Sequence, residues 1–542
     1  MTKVGLYFHT VRHLKPRQVL ARAWNLASGF GVDLRRAPPL RSPNYRFVEP
    51  VAPLPTLVSE FRFKFLNVER PCESAADWTP AGADDLWIYH LHYFDDLNAQ
   101  DAGKRTRAQL TLLRRWVAEN APGMGSAWDP YPTSRRIVNW IKWVLRGNQL
   151  PSECVDSLAT QARWLARRFE FHLLGNHLLA NAKGLLFAGL FFSGKEADIW
   201  FRKGMSVFNR QLREQVLTDG AHFELSPMYH AIVLEDLLDG INLVRAYGLD
   251  VPAHWPGLAS RMRTWLSVMT HPDGGIAFFN DAVFGASASL SDIDSYVERL
   301  ELSICCESQG IVEAMIASGY IAGRTESSYL LCDCAAVGPD YQPGHAHADT
   351  LSFELSLYGQ RVFVNSGISK YDDSLERQRQ RGTAAHNTVV IDGSDSSEVW
   401  KAFRVARRAR ASLHRVSSDL DGAMIEASHD GYCRRPSRRI HRRRWQLCND
   451  RLEVTDEIGG RFRRAVALFH LSPGVEIRRR SSSEFAISWS GAEGQVSFQG
   501  TESVQIQNSS WHPRFGESVP NSRLVAHFTD RAMSTSVSWR KK

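Results

Sequence analysis

The chain has 542 residues, more than one hydrophobic core usually serves, so at least two domains are expected. Hydrophobic residues at 43% and charged residues at 23% exclude a disordered chain. No run of about 20 apolar residues is present, which excludes a membrane-spanning helix. The formal net charge of +8 and a pI near 9.1 favour an anionic partner: nucleic acid, an acidic membrane surface or a uronate-bearing polymer.

Residues 1–75 read as a lead-in segment, Pro-rich loops with one helical stretch from about Arg17 to Ser28. Met1 to His13 lacks the apolar stretch and small-residue cleavage site of a secretory signal, so a cytoplasmic place is expected, with a periplasmic or non-standard exported one left open. Residues 76–325 form the second unit. Within it apolar residues recur at helical spacing, as in Arg135 to Val144 and Leu158 to Phe192, with short breaks at Gly147-Asn148, Ser193-Gly194, Asp219-Gly220 and Pro272 to Gly275. Diverged helical pairs without a readable repeat predict an incomplete (α/α) toroid. Residues 326–542 change to period-two alternation, as in Leu351 to Leu357 and Ser534 to Trp539, which predicts an antiparallel β-sandwich and an α+β multidomain chain.

The densest positive run, Arg434, Arg435, Arg438, Arg439, Arg442, Arg443 and Arg444, lies in alternating sequence and reads as the solvated side of a strand pair. Eight Cys, at 72, 154, 305, 306, 332, 334, 433 and 448, show neither zinc-motif spacing nor a compact disulfide framework, so reduced structural thiols are expected. Positive charge not gathered on a recognised reading motif argues against nucleic acid.

Three polar clusters carry the chemistry. Gly175 to Asn181 sets Asn176, His177 and Asn181 in an apolar helix, where amides and an imidazole need partners. Asp219 to His230 is a turn leading through Pro227 into a helix, with Tyr229 near its positive dipole end, where a phenolate is less costly. Gly344 to Asp349 brings His345 and His347, followed by Asn365 and by His386-Asn387; imidazoles so placed serve as acid/base groups or metal ligands.

Taken in order, Trp128-Asp129-Pro130-Tyr131-Pro132, Asn176-His177-Leu178-Leu179, His222 to His230, Phe279-Asn280-Asp281, His345 to Asp349 and His386-Asn387-Thr388 resemble the motifs of the heparinase II/III family. Leu86 to Asp95 further resembles members encoded with bacterial surface-polysaccharide genes. The resemblance implies a toroid followed by a β-sheet domain and a polysaccharide lyase acting on an acidic, uronate-containing glycan by β-elimination. The setting it implies is bacterial exopolysaccharide, capsule or O-antigen metabolism. Asn176, Tyr229 and His345 match the family's catalytic positions, with His177 assisting the amide. His222, Glu224, His230, Asn280, Arg135 and Trp128 are expected to contact substrate. No cofactor is required, but some relatives hold a metal, and zinc or calcium would fall to His347, Asn365 and His386. Asn365 stands where an Asp is usual, and an amide is a poorer zinc ligand than a carboxylate.

Two other readings stay open: a glycoside hydrolase on the same scaffold, using two of Glu224, Glu235, Asp236 and Asp281, and a non-catalytic glycan-binding or assembly protein. The particular uronate, its sulfation, the syn or anti course, endo or exo action and the oligomeric state are not encoded in any motif.

Overall fold

The computed structural model describes residues 3–27, 29, 31–303, 310–419, 422–434 and 438–542. Its helices are α1 (Lys3–Val11), α2 (Pro16–Ala27), α3 (Asp85–Tyr93), α4 (Thr106–Glu119), α5 (Pro130–Leu145), α6 (Ser152–Arg167), α7 (Gly175–Phe191), α8 (Lys195–Gln215), α9 (Pro227–Ala246), α10 (His254–Val268), α11 (Leu290–Arg299) and α12 (Leu375–Arg381). The lead-in differs from expectation. It holds two helices rather than one, and a small three-stranded antiparallel sheet over 57–71, too short to show a clear alternation.

From α3 to α11 the chain is a set of packed helices around one continuous apolar core, with Trp87, Trp116, Trp140 and Trp255 among its fully buried side chains. Helix α7 is buried on nearly every face, in keeping with a mostly apolar sequence. Helices α5, α7 and α9 are cross-linked by buried charge. The Lys142 Nζ stands 2.5 Å from Asp239, and the Lys183 Nζ stands 2.6 Å from Asp236 and 2.5 Å from Asp239. Glu235 lies 3.8 Å from the Lys142 Nζ as well, so three carboxylates face two ammonium groups, and burial raises the pKa of Glu235.

The β region begins at Val312–Met315, upstream of the boundary expected at 326. A five-stranded antiparallel meander spans 312–363. An eight-stranded sheet then runs in the order Ala411–Asp419, Gly422–Tyr432, Arg439–Cys448, Arg451–Ile458, Ala532–Lys541, Ala492–Gln499, Glu484–Trp489 and Glu476–Arg479. A four-stranded sheet adds Ser503–Trp511, Val519–Phe528, Ala465–His470 and Val389–Ile391. Inward residues of all three meet in one core, including Phe353, Ile425, Trp445, Phe469, Leu524 and Val537.

The arginine run is only partly a solvated face. Arg442 and Arg444 are exposed, but Arg443 between them is fully buried, its guanidinium on Asp456 at 2.7 Å. Strand alternation puts every second residue inside, and Arg443 also donates to the Leu351 carbonyl at 2.8 Å. Arg435 falls outside the described residues, as do Cys305 and Cys306. The six described cysteines are free thiols.

Candidate active site

Three helix N-termini open onto one place. Tyr131 is at the second position of α5, Asn176 and His177 at the second and third of α7, and Tyr229 at the third of α9. The helix dipoles bring partial positive charge to these turns, although the Asn176 and Tyr229 amides already meet Glu224 and Ser226. The approach to α7 is strained: Leu174 adopts φ 69° and ψ −151°, a region that side chains avoid, and Gly175 follows at φ 54°. Leu225 at φ 58° and Asn280 at φ 55° turn the chain just before Tyr229 and Asp281.

Asn176 is buried, and its backbone amide faces the Glu224 Oε1 at 3.3 Å. Its side-chain Oδ1 is buried without a protein partner. Glu224 Oε2 lies 3.7 Å from His345 Nε2, and the His345 ring stacks on Tyr229 with centroids 3.8 Å apart. The amide, imidazole and phenol therefore form one contiguous wall, although they come from α7, α9 and the β region. His177 lies against Tyr131 at 4.4 Å, with Nδ1 3.1 Å from Glu170. Burial disfavours its charge, but Glu170 and Glu224 outweigh that and raise its pKa. Asn181 holds Glu170 in turn, donating to Oε2 at 3.0 Å and to Ser134 at 3.0 Å.

Behind the wall sits Asp281, fully buried. It accepts a bidentate pair of bonds from the buried Arg377, and meets His345 Nδ1 at 2.9 Å and His347 Nε2 at 2.8 Å. Burial alone would raise its pKa; Arg377 and the two imidazoles overcome that and hold it well below the usual carboxylate range. Facing an ionised Asp281, the His345 Nδ1 carries a hydrogen, which leaves Nε2 turned toward Glu224. Tyr229 donates to or accepts from Tyr371 at 3.2 Å between hydroxyls. Burial first, then Tyr371 and Asp281, push its pKa well above 10. The helix dipole does not prevail here, so Tyr229 is a neutral phenol, a proton donor rather than a phenolate.

Sequence reasoning passed over Arg377, Tyr371 and Glu170. Four residues expected at the substrate are placed elsewhere. Trp128 is core, its ring beside Trp116 at 5.7 Å and Trp164 at 6.1 Å. His222 and His230 are fully buried and bonded to each other, the His222 amide to His230 Nδ1 at 3.0 Å, with His230 Nε2 on the Met262 carbonyl at 2.8 Å. Asn280 is a buried brace, its amide donating to the Leu225 carbonyl at 2.9 Å and accepting from the His347 amide at 2.9 Å. Arg135 stays near the opening, half-buried, one turn beyond Tyr131 and 3.2 Å from Asp95.

The imidazoles of His347 and His386 approach to 3.3 Å between Nδ1 and Nε2. Two nitrogens bound to one tetrahedral zinc at about 2.0–2.1 Å would stand about 3.3 Å apart, so this spacing fits an ion. The carboxylate beside them is Asp349, whose donor atoms and theirs all lie within 4.8 Å of one another. Asn365 instead accepts from the Asn387 amide at 3.2 Å and reaches Ser352 at 3.5 Å.

Burial lowers many of these imidazoles: His347 and His90 to about 4, and His386, His92, His230 and His470 to about 3. The unfolded chain takes up protons near pH 6.5 that the folded chain refuses, so stability is intact above that pH and falls as pH drops toward 4. Each such group contributes about 1.4 kcal/mol per pH unit in that window. Thermal melts are therefore expected to fall steeply between pH 6.5 and 4; a flat profile there contradicts the buried neutral imidazoles.

Comparison with known proteins agrees with the architecture. Residues 94–301 match the model described as "Heparinase II/III N-terminus" and residues 310–540 match "Heparinase II/III-like, C-terminal". The chain belongs to the heparinase II/III family. It is 25% identical over 298 residues to a heparin-sulfate lyase of Bacteroides stercoris (50% of this chain, 44% of that one) and 25% identical over 351 residues to one of Pedobacter heparinus (59% and 51%). It thus spans about half the length of the lyases it matches. Among solved structures, a heparinase III superposes with TM-score 0.69 at 18% identity, covering 86% of this chain and 79% of that one. The heparan sulfate lyase HepC from Pedobacter heparinus superposes with TM-score 0.61 at 16% identity, covering 97% and 87%. These likenesses establish the fold: a helical toroid followed by a β-sandwich.

Proposed function

We propose that the protein is a polysaccharide lyase that cleaves an acidic, uronate-containing glycan by β-elimination, in bacterial exopolysaccharide, capsule or O-antigen metabolism. The observation that carries this reading is the contiguity of Asn176, His345 and Tyr229 at converging helix N-termini. A uronate inside a chain has its leaving oxygen β to the carboxylate, so loss of the C5 proton expels the C4 oxygen without water. The carboxylate must be neutralised while charge develops on it, a task for fixed donors. The Asn176 amide, the α7 N-terminus and His177, whose charged form Glu170 favours, supply it, with Arg135 one turn beyond Tyr131.

The His345 Nε2 takes the C5 proton, the C–H electrons become the C4–C5 double bond, and the C4–O bond breaks as Tyr229 protonates the departing oxygen. The site is restored when the imidazolium releases its proton to solvent and the phenolate takes one up from it. Asp281 holds His345 in the needed tautomer. Incubation with a panel of uronate polymers, including heparan sulfate, alginate and bacterial capsules, is expected to produce ultraviolet absorbance from the new double bond on at least one; absorbance on none overturns the reading.

Of the four carboxylates a hydrolase could use, Asp281 is tied to Arg377 and Asp236 to Lys183, which leaves Glu224 and Glu235, both with pKa raised by burial.

His347, His386 and Asp349 would hold a divalent ion, zinc by ligand type, that would brace the wall behind His345. Metal analysis of purified protein is expected to find about one zinc per chain, lost in His386→Ala. Absence of stoichiometric metal removes this part of the account.

A further inference from the structure

The arm formed by α1 and α2 has two unlike sides. Its inner side ties the two domains together. Thr10 accepts from the Trp400 indole at 3.2 Å, and Tyr7 packs edge-on against that ring at 4.9 Å. Further along, Lys15 meets Glu214 of α8 at 2.6 Å and Gln18 donates to the Tyr341 carbonyl at 3.3 Å. The hairpin it grips, 399–405, carries Phe403, whose ring lies 6.0 Å from that of His345. The arm therefore rides beside the candidate active site.

Its outer side is apolar and open. On α1, Val4, Phe8 and Val11 share one face at i, i+4 and i+7 and are 77%, 63% and 52% exposed. On α2, Val19 and Leu20 are 53% and 69% exposed, and Pro16 and Ala23 continue the same face. Single exposed apolar residues need no explanation, but two consecutive helices turning their apolar faces outward do. The charge around them is of one sign. Before Asp33 the sequence has Lys3, Arg12, Lys15, Arg17 and Arg22 and no Asp or Glu. Lys15 and Arg17 are drawn to Glu214, leaving Lys3, Arg12 and Arg22 exposed around the apolar face.

Basic residues flanking an aliphatic and aromatic face form the pattern of a helix that lies in a membrane interface, held by buried side chains and by anionic headgroups. Among the described residues no helix is long and apolar enough to cross a membrane. We propose that the α1–α2 arm docks the protein flat onto an anionic phospholipid surface. A second copy of the chain would bring the same basic residues together, which favours lipid as the occupant.

The test is co-sedimentation of the full chain with phosphatidylcholine vesicles made with and without phosphatidylglycerol. Binding is expected only with phosphatidylglycerol, weakening as salt rises. Val19→Glu with Leu20→Glu is expected to reduce it at least about tenfold, and so is Arg12→Glu with Arg22→Glu, which leaves the apolar face intact. These positions are exposed, so circular dichroism and activity on soluble substrate should match the parent. Failure of the parent to bind phosphatidylglycerol vesicles, equal binding by both variants, or a dimer in light scattering that Val19→Glu with Leu20→Glu dissolves would each overturn the proposal.

Discussion

Tyr229→Phe is expected to lower kcat by about 10²–10⁴-fold, the range a positioned proton donor supplies. The substitution removes one oxygen and leaves the ring on His345. The lost partner is the Tyr371 hydroxyl at 3.2 Å, a neutral hydrogen bond contributing about 0.5–1.5 kcal/mol. Stability should therefore change little, and KM should stay within a few-fold, because the phenol acts on the leaving oxygen in the transition state and not in ground-state binding. Steady-state kinetics on the polymer that the parent cleaves, with a thermal melt of the same sample, checks all three. A variant that keeps activity within tenfold of the parent removes Tyr229 from the chemistry. A variant that also melts early would assign it a structural role.

Asp281→Asn is expected to be the most destabilising single change at the site. Asp281 is the anion on which Arg377, His345 and His347 converge, and Arg377 is itself fully buried. Removing one member of a buried ion pair leaves the other charge without compensation, which typically costs about 3–5 kcal/mol. The amide keeps the shape but presents one donor where two acceptors are needed, so the imidazoles lose their fixed tautomers as well. Chemical denaturation of parent and variant measures the difference. A loss below about 1 kcal/mol would mean that Arg377 finds another partner and that Asp281 is not the keystone.

The pattern of elements was legible wherever periodicity is long. Helix α7 and the strand Phe353–Leu357 were both readable, although the strand is buried at every position, its Glu354 and Ser356 meeting His271 at 3.0 and 2.8 Å. The strands over 57–71 were not, because four residues carry too little pattern. At the site, Asn176 stood out as an amide in an apolar helix, Tyr229 as a phenol at a helix start and His345 through its paired imidazoles, and the family resemblance joined the three. Arg377 was not legible: nothing in Leu375 to Arg381 marks one arginine for burial, which depends on a carboxylate 96 positions earlier in the chain. Asp349 was visible in its motif, but only the fold sets it beside His347 and His386. Trp128 and the His222–His230 pair, expected at the substrate, lie buried, because residue type does not report depth. A tryptophan or histidine in the core has the same letter as one in a cleft.

Whether the bond is broken by elimination can be measured directly. Cleavage in water enriched in heavy oxygen, followed by mass spectrometry of the fragments, should give non-reducing ends that are unsaturated and reducing ends free of solvent oxygen. Heavy oxygen at the cleaved bond, with saturated ends, would mean that water is the nucleophile and would contradict the roles given to Asn176, His345 and Tyr229.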